Sequence, residues 1–180
     1  MFSLIFEDHG HHLTDGERRL AGKICADTAT ELHALLPALP EMVHVHFTTR
    51  GRVIPQFGYG ARAATLDSVR FAVDPSHASG SARLMQEHLR AALFHECHHL
   101  VRGWVMQGGR PPGRFIDGVV HEGLASAFER DAAGHAPPWT NYPDQVQHWV
   151  DELLALPVDA PYERGPQKRS RRRASQQRSW

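Results

Sequence analysis

The chain has 180 residues, with 20 Lys and Arg against 20 Asp and Glu, and 14 His. That length suits one domain with a real core and is too short for two. The even charge is a cancellation: seven basic residues and no acid lie from Arg164 onward, leaving 13 basic against 20 acidic before it, so the body is acidic and ill suited to phosphate contacts.

Two cysteines, Cys25 and Cys97, stand far apart without a CxxC spacing. They form neither a disulfide framework nor a cysteine zinc site. The amino terminus, Met1 to Phe6 followed by Glu7 and Asp8, lacks the basic start and longer apolar region of a secretory signal. No apolar run approaches the ~18 residues that span a bilayer. The expectation is a soluble cytoplasmic protein without a membrane partner.

Taken in chain order, Leu20, Ile24, Cys25, Leu32, Leu35 and Leu36 recur at helical spacing from Thr14 to Leu36, with Thr14 or Asp15 as cap and Pro37 as stop. Val43, Val45 and Phe47 alternate with His44 and His46, which predicts a strand over 42–48. A second extended stretch follows, but Pro55 makes it an edge strand at best. Gly58-Tyr59-Gly60 reads as a loop, and Val69 to Val73 as a short strand stopped by Asp74-Pro75. Ser79 or Ser81 can cap a helix from about Ala82 to Met106, with Leu89, Leu93, Cys97, Leu100, Val101, Trp104 and Val105 on its apolar side. Gly108-Gly109 and Pro111-Pro112-Gly113 break it. Another helix is expected over 115–133 with Gly134 as its end, and a last one from Asn141 to about Leu154. From Pro161 the chain is rich in Arg, Ser, Gln and Pro and cannot bury enough surface to order itself. This basic tail reads as a flexible solubilising end, and is the one part suited to tether nucleic acid or an acidic partner.

The long middle helix carries the pentad His95-Glu96-Cys97-His98-His99. Residues four apart on a helix lie about 40° apart around the axis and one turn apart along it, so the His95 and His99 imidazoles converge on one point. Glu96 sits beside them, placed to take a proton from a water and badly placed to ligate, which is the arrangement of a zinc hydrolase. Zinc needs a third protein ligand and a catalytic site leaves the fourth position to water. The metzincin pattern would require Gly at 102 and His at 105, and Arg102 and Val105 exclude it. Asp117, His121 and Glu122 are the candidates that follow. Glu122 is favoured, because a helix-borne Glu after a breaking loop is the gluzincin solution and the small Gly123 beside it would let two helices approach closely.

Val73-Asp74-Pro75-Ser76, the pentad with Arg102 after it, and Glu122-Gly123-Leu124-Ala125 with Phe128 together resemble a bacterial family described as predicted zinc-dependent proteases, gluzincin-like in its HExxH…EGLA pattern. The resemblance spans roughly Gly58 to Gly134. It implies a Zn2+ cofactor and a peptide or protein substrate; together with the composition, the expectation is a compact α+β zincin-like domain over residues 1–163 followed by a basic tail over 164–180. It also implies His95, His99 and Glu122 as zinc ligands and Glu96 as catalytic base. One departure is that the position four after Glu122 is Ser126, not an acid, so the carboxylate that often orients a ligand histidine from there is missing.

A developing oxyanion wants a donor besides the metal, and Tyr142, His148, His121 and Arg102 each have the chemistry to supply one. The strand over 69–73 is a candidate edge for pairing with an extended peptide. His88, about 10 Å along the helix from His95, reads as a cleft-wall or solvent residue. His98 is an alternative partner for His95, but spacing of four suits Glu96 better. His44 and His46 share a strand face and read as its polar side, and Cys97 as core. His9, His11 and His12 form a group near the amino end, where weak adventitious metal binding is the only reading. The rival to a peptidase is a non-catalytic zinc-stabilised binding or regulatory module. Such a site wants a fourth protein ligand, for which only His121 or His98 is near, and has no use for Glu96.

Overall fold

The computed structural model describes residues 1–7, 12–106, 113–134, 144 and 146–159. Among these, four strands form one mixed sheet and four helices accompany it. The chain runs β1 (Phe2–Glu7), α1 (Asp15–Leu35), β2 (Val43–Thr48), β3 (Tyr59–Thr65), β4 (Ser68–Val73), α2 (Gly80–Val101), α3 (Phe115–Ala133) and α4 (Val146–Leu154). The α+β class expected from the sequence is the class observed.

Strand order is β1-β2-β4-β3. β1 pairs parallel with β2, and β2 with β4, whereas β3 turns back antiparallel on β4. Parallel neighbours need a crossover, which α1 supplies between β1 and β2. Thr14 closes α1 with a reciprocal box: Glu17 N–H donates to Thr14 Oγ1 at 3.2 Å and Thr14 N–H donates to Glu17 Oε2 at 2.7 Å. Its buried residues Ala21, Cys25, Thr28 and Leu32 fall on one helical stripe.

Strand alternation decides which face is the core. Val43, Val45 and Phe47 of β2 and Val69, Phe71 and Val73 of β4 are buried on one side, where α1 and α2 pack. Leu84, Leu89, Leu93 and Cys97 of α2 complete that core. The alternate residues His44, His46 and Arg70 lie on the far side of the sheet, where Glu7 Oε1 accepts from Arg70 Nη2 at 2.8 Å and pairs with His46 Nδ1 at 3.0 Å.

Several expectations are corrected. Phe2–Glu7, to which the sequence reading assigned no element, is strand β1, whose pairing partners lie some forty residues on. The stretch read as a loop at Gly58-Tyr59-Gly60 opens strand β3, and the extended segment before it contributes only an isolated bridge between Ile54 and Tyr59. The strand over 69–73 is not an edge: β4 has neighbours on both sides, and the edges of the sheet are β1 and β3. Helix α2 stops at Val101, five residues before the expected end. Gly103 takes a positive φ of 66° there and the chain leaves the axis, so Trp104 and Val105 stay buried outside the helix. Helix α3 has the expected bounds, with Gly134 left-handed at its end. Residues 141–143 and the basic tail lie outside the described residues, and α4 begins at Val146.

Candidate metal centre

Helices α2 and α3 pack against each other, in part through Phe94 and Phe128, whose rings lie 5.7 Å apart. This contact sets the face of α3 that meets α2, and Glu122, Ala125 and Glu129 lie on it at helical spacing. His95 Nε2 is 3.1 Å from His99 Nε2 and 3.2 Å from Glu122 Oε2, and His99 Nε2 is 3.5 Å from the same oxygen. Among the described residues this is the group of side chains able to hold a metal ion.

The donor set fits zinc. Ligand bonds of 2.0–2.2 Å in a tetrahedron place the donor atoms about 3.3 Å apart, close to each of the three separations. Two ring nitrogens and a carboxylate oxygen pointing at one another repel unless something positive lies between them. Burial alone would lower the His95 pKa, but hydrogen bonds to Glu122 and Glu129 raise it to about 10. Burial likewise works against ionisation of Glu122, yet His95 and His99 hold its carboxyl far below the ordinary range.

Glu129 is the residue that the sequence reading missed. It is 1% exposed, and His95 Nδ1–H donates to its Oε2 at 3.0 Å, which leaves Nε2 of that ring free to face the cluster. The acid sought four residues after Glu122 stands seven after it, two helical turns on the same face. That spacing was the available signal.

Glu96 points to the sheet instead of the cluster's far side. It is 7% exposed, and Ala63 N–H of β3 donates to its Oε2 at 2.6 Å. Burial raises its carboxyl above the usual carboxylate range, opposed by His95, His99 and the Ala63 N–H. Glu96, His95, His99, Glu122 and Ser126 line one cavity of about 690 Å³ together with residues of β3.

The other expected donors are not brought to this cavity. Arg102 is the exposed cap of α2. His121 stacks on Trp104 at 4.3 Å and 9°, and His148 pairs with Glu152 at 3.3 Å on α4. Tyr142 lies outside the described residues. Asp117 is engaged with Arg114 at the start of α3, its Oδ2 accepting Arg114 N–H at 2.8 Å. His98 tilts against Phe128 at 5.5 Å, where burial lowers its pKa to about 4. His88 is stacked on Tyr59 at 4.3 Å, and Cys97 is buried as expected. The role given to Gly123 is corrected: a Cβ there would meet nothing within 4 Å, because Gly123 is on the outer side of α3.

The fold and the cluster define an α+β protein with a His-His-Glu group able to hold a divalent metal beside a large cavity. Residues 24–164, well over half the chain, match the family described as predicted Zn-dependent protease (DUF2268), and the chain belongs to that family. Searches of the curated proteins and of the solved structures returned no match.

Proposed function

We propose that this protein is a zinc-dependent metallopeptidase with a zincin-like domain over residues 1–163 and gluzincin-type ligands His95, His99 and Glu122. The observation that carries this reading is the convergence of those three donors, 3.1–3.5 Å apart, beside a buried carboxylate in the same cavity. Zinc held there supplies a Lewis acid that brings water to a pKa of about 7 and polarises a carbonyl.

Glu96 is the general base. The Ala63 N–H fixes one of its oxygens, so the carboxylate has one orientation from which to take a proton from the attacking water and hand it to the departing amine. Peptide binding falls to β3. Ala63 turns its N–H to Glu96 and its C=O to Met106 N–H at 3.2 Å, and Tyr59 C=O accepts from Ile54 N–H at 2.9 Å. Both residues therefore face away from β4, and so does Ala61 midway between them, by the alternation of an antiparallel ladder. Ala61 lines the cavity. An extended substrate can pair with its N–H and C=O and lie beside the cluster.

Zinc content and peptide hydrolysis of wild type, Glu96→Gln and Glu122→Ala test the reading. The expected result is zinc without turnover in the first variant and loss of zinc in the second. Full turnover in Glu96→Gln would defeat the base assignment, and undiminished zinc affinity in Glu122→Ala the ligand assignment.

A further inference from the structure

The cavity continues past the edge of β3 onto the far face of the sheet, where its walls include Arg52, Arg62 and Arg70. Arg62 and Arg70 are direct cross-strand partners on β3 and β4. Tyr59 and Phe71 stack with ring centroids 5.7 Å apart on the core side, so Arg62 and Arg70, each one residue out of step, project from the opposite side. Two like charges placed directly opposite destabilise a sheet. Only Arg70 has an acid to offset it, Glu7 at 2.8 Å, and its Nε is buried without a hydrogen-bond partner. Arg52 and Arg62 have no acidic partner among the described residues. The two glutamates of the cavity are already engaged, Glu96 by Ala63 N–H and Glu122 by His95 and His99. A chain whose body is acidic by seven charges thus presents a cationic wall in this cleft.

We propose that Arg52, Arg62 and Arg70 form a subsite for the carboxylate of an Asp or Glu side chain of an extended peptide bound along β3. This rests on the peptidase reading for the path of the peptide. On a strand added to the edge of β3, successive side chains face the two sides of the sheet in turn. Where one residue is turned to the His95-His99-Glu122 side, its neighbours are turned to the side of Arg62, at the Cβ separation of about 5 Å typical of cross-strand pairs. A carboxylate there accepts a guanidinium fork, which a carboxamide cannot match. The subsite therefore selects acidic residues next to the residue facing the cluster.

Binding of fluorescein-labelled octapeptides to zinc-loaded Glu96→Gln protein, read by anisotropy, tests this. The peptides alternate Ala and Ser, are acetylated and amidated, and carry a single Glu, Gln or Lys at each position in turn. In this background Glu is expected to bind about tenfold tighter than Gln at alternating positions, with Lys weakest. Adding Arg52→Gln and Arg62→Gln should remove the preference, and adding Arg62→Glu should turn it toward Lys, a gain that unfolding cannot imitate. Equal binding of Glu and Gln peptides overturns the subsite, as does a preference untouched by the arginine substitutions. A gain seen only in a Gln peptide with a free carboxyl terminus overturns the side-chain assignment. Because anisotropy needs no turnover, carboxylate preference without hydrolysis by the wild type sinks the peptidase reading alone. Hydrolysis of the peptides by the wild type without that preference sinks the subsite alone.

Discussion

A carboxylate that is 1% exposed, as Glu129 is, costs several kcal/mol in desolvation unless a charged or hydrogen-bonding partner offsets it. Its partner is His95 Nδ1, and the pair explains both residues at once: the carboxylate is satisfied, and the ring is held with Nε2 toward Glu122 and His99. Glu129→Gln keeps the size and can still offer an oxygen, but loses the charge that makes the ring a better donor to a metal. Zinc affinity is expected to fall about 10–100-fold, and the zinc-free melting temperature to fall as well, because the buried pair with His95 loses its charge. Competition with a chromophoric chelator measures it, and unchanged affinity would mean that His95 needs no orienting group. His95, Glu96 and His99 were legible in the sequence because helical spacing fixes how residues of one helix sit relative to one another, whereas Glu122, on the next helix, was favoured over Asp117 and His121 only from the residue pattern after the breaking loop. Glu129 was not legible, since the search stopped at Ser126, one turn short of the acid.

Elements built on side-chain pattern were legible and those built on partners were not. Strand β2 alternates Val, His, Val, His, Phe, and its core face follows from that. Strand β3 is Tyr-Gly-Ala-Arg-Ala-Ala-Thr, poor in β-branched residues, and is a strand because β4 pairs with it along its length. Within it Gly60 leaves no room for a side chain, since a Cβ would lie 2.2 Å from Arg52 O and 3.3 Å from Val53 Cα. Gly60→Ala must push the 52–53 backbone off the strand and open the far wall of the cleft. A loss of roughly 1–3 kcal/mol is expected, with weaker peptide binding. Gly123→Ala should do the opposite. It sits in an exposed helical turn with open space around it, so it should gain about 0.5–1 kcal/mol from the lower backbone entropy of alanine, with zinc affinity preserved. Denaturant unfolding of both variants checks the signs; destabilisation by Gly123→Ala would restore the close helix approach that its sequence context suggested.

At the scale of the molecule, α1 and α2 lie on the same face of one sheet, and the His95-His99-Glu122 cluster lies where α3 meets α2. Cys25 of α1 and Cys97 of α2 are both buried in the shared core, so they report whether that arrangement opens. Burial pushes the Cys25 thiol up to about 12. Because the thiolate is the reactive form, a raised pKa means less of it: about one molecule in ten thousand at pH 8, even if a reagent could reach the sulfur. Labelling by a chromogenic disulfide reagent must then proceed through opening of the fold, at a rate set by the free energy of that opening. Zinc bound to residues from two helices adds RT ln(1 + [Zn]/Kd), about 4.1 kcal/mol at a thousandfold excess over Kd. Labelling of Cys25, remote in sequence from every ligand, should therefore slow by up to about a thousandfold on adding zinc and recover on chelation. In Glu122→Ala the rate should be indifferent to zinc. Fast labelling of the folded protein would contradict the packing of α1 on the sheet, and a rate that ignores zinc in the wild type would mean that metal binding and the stability of this core are independent.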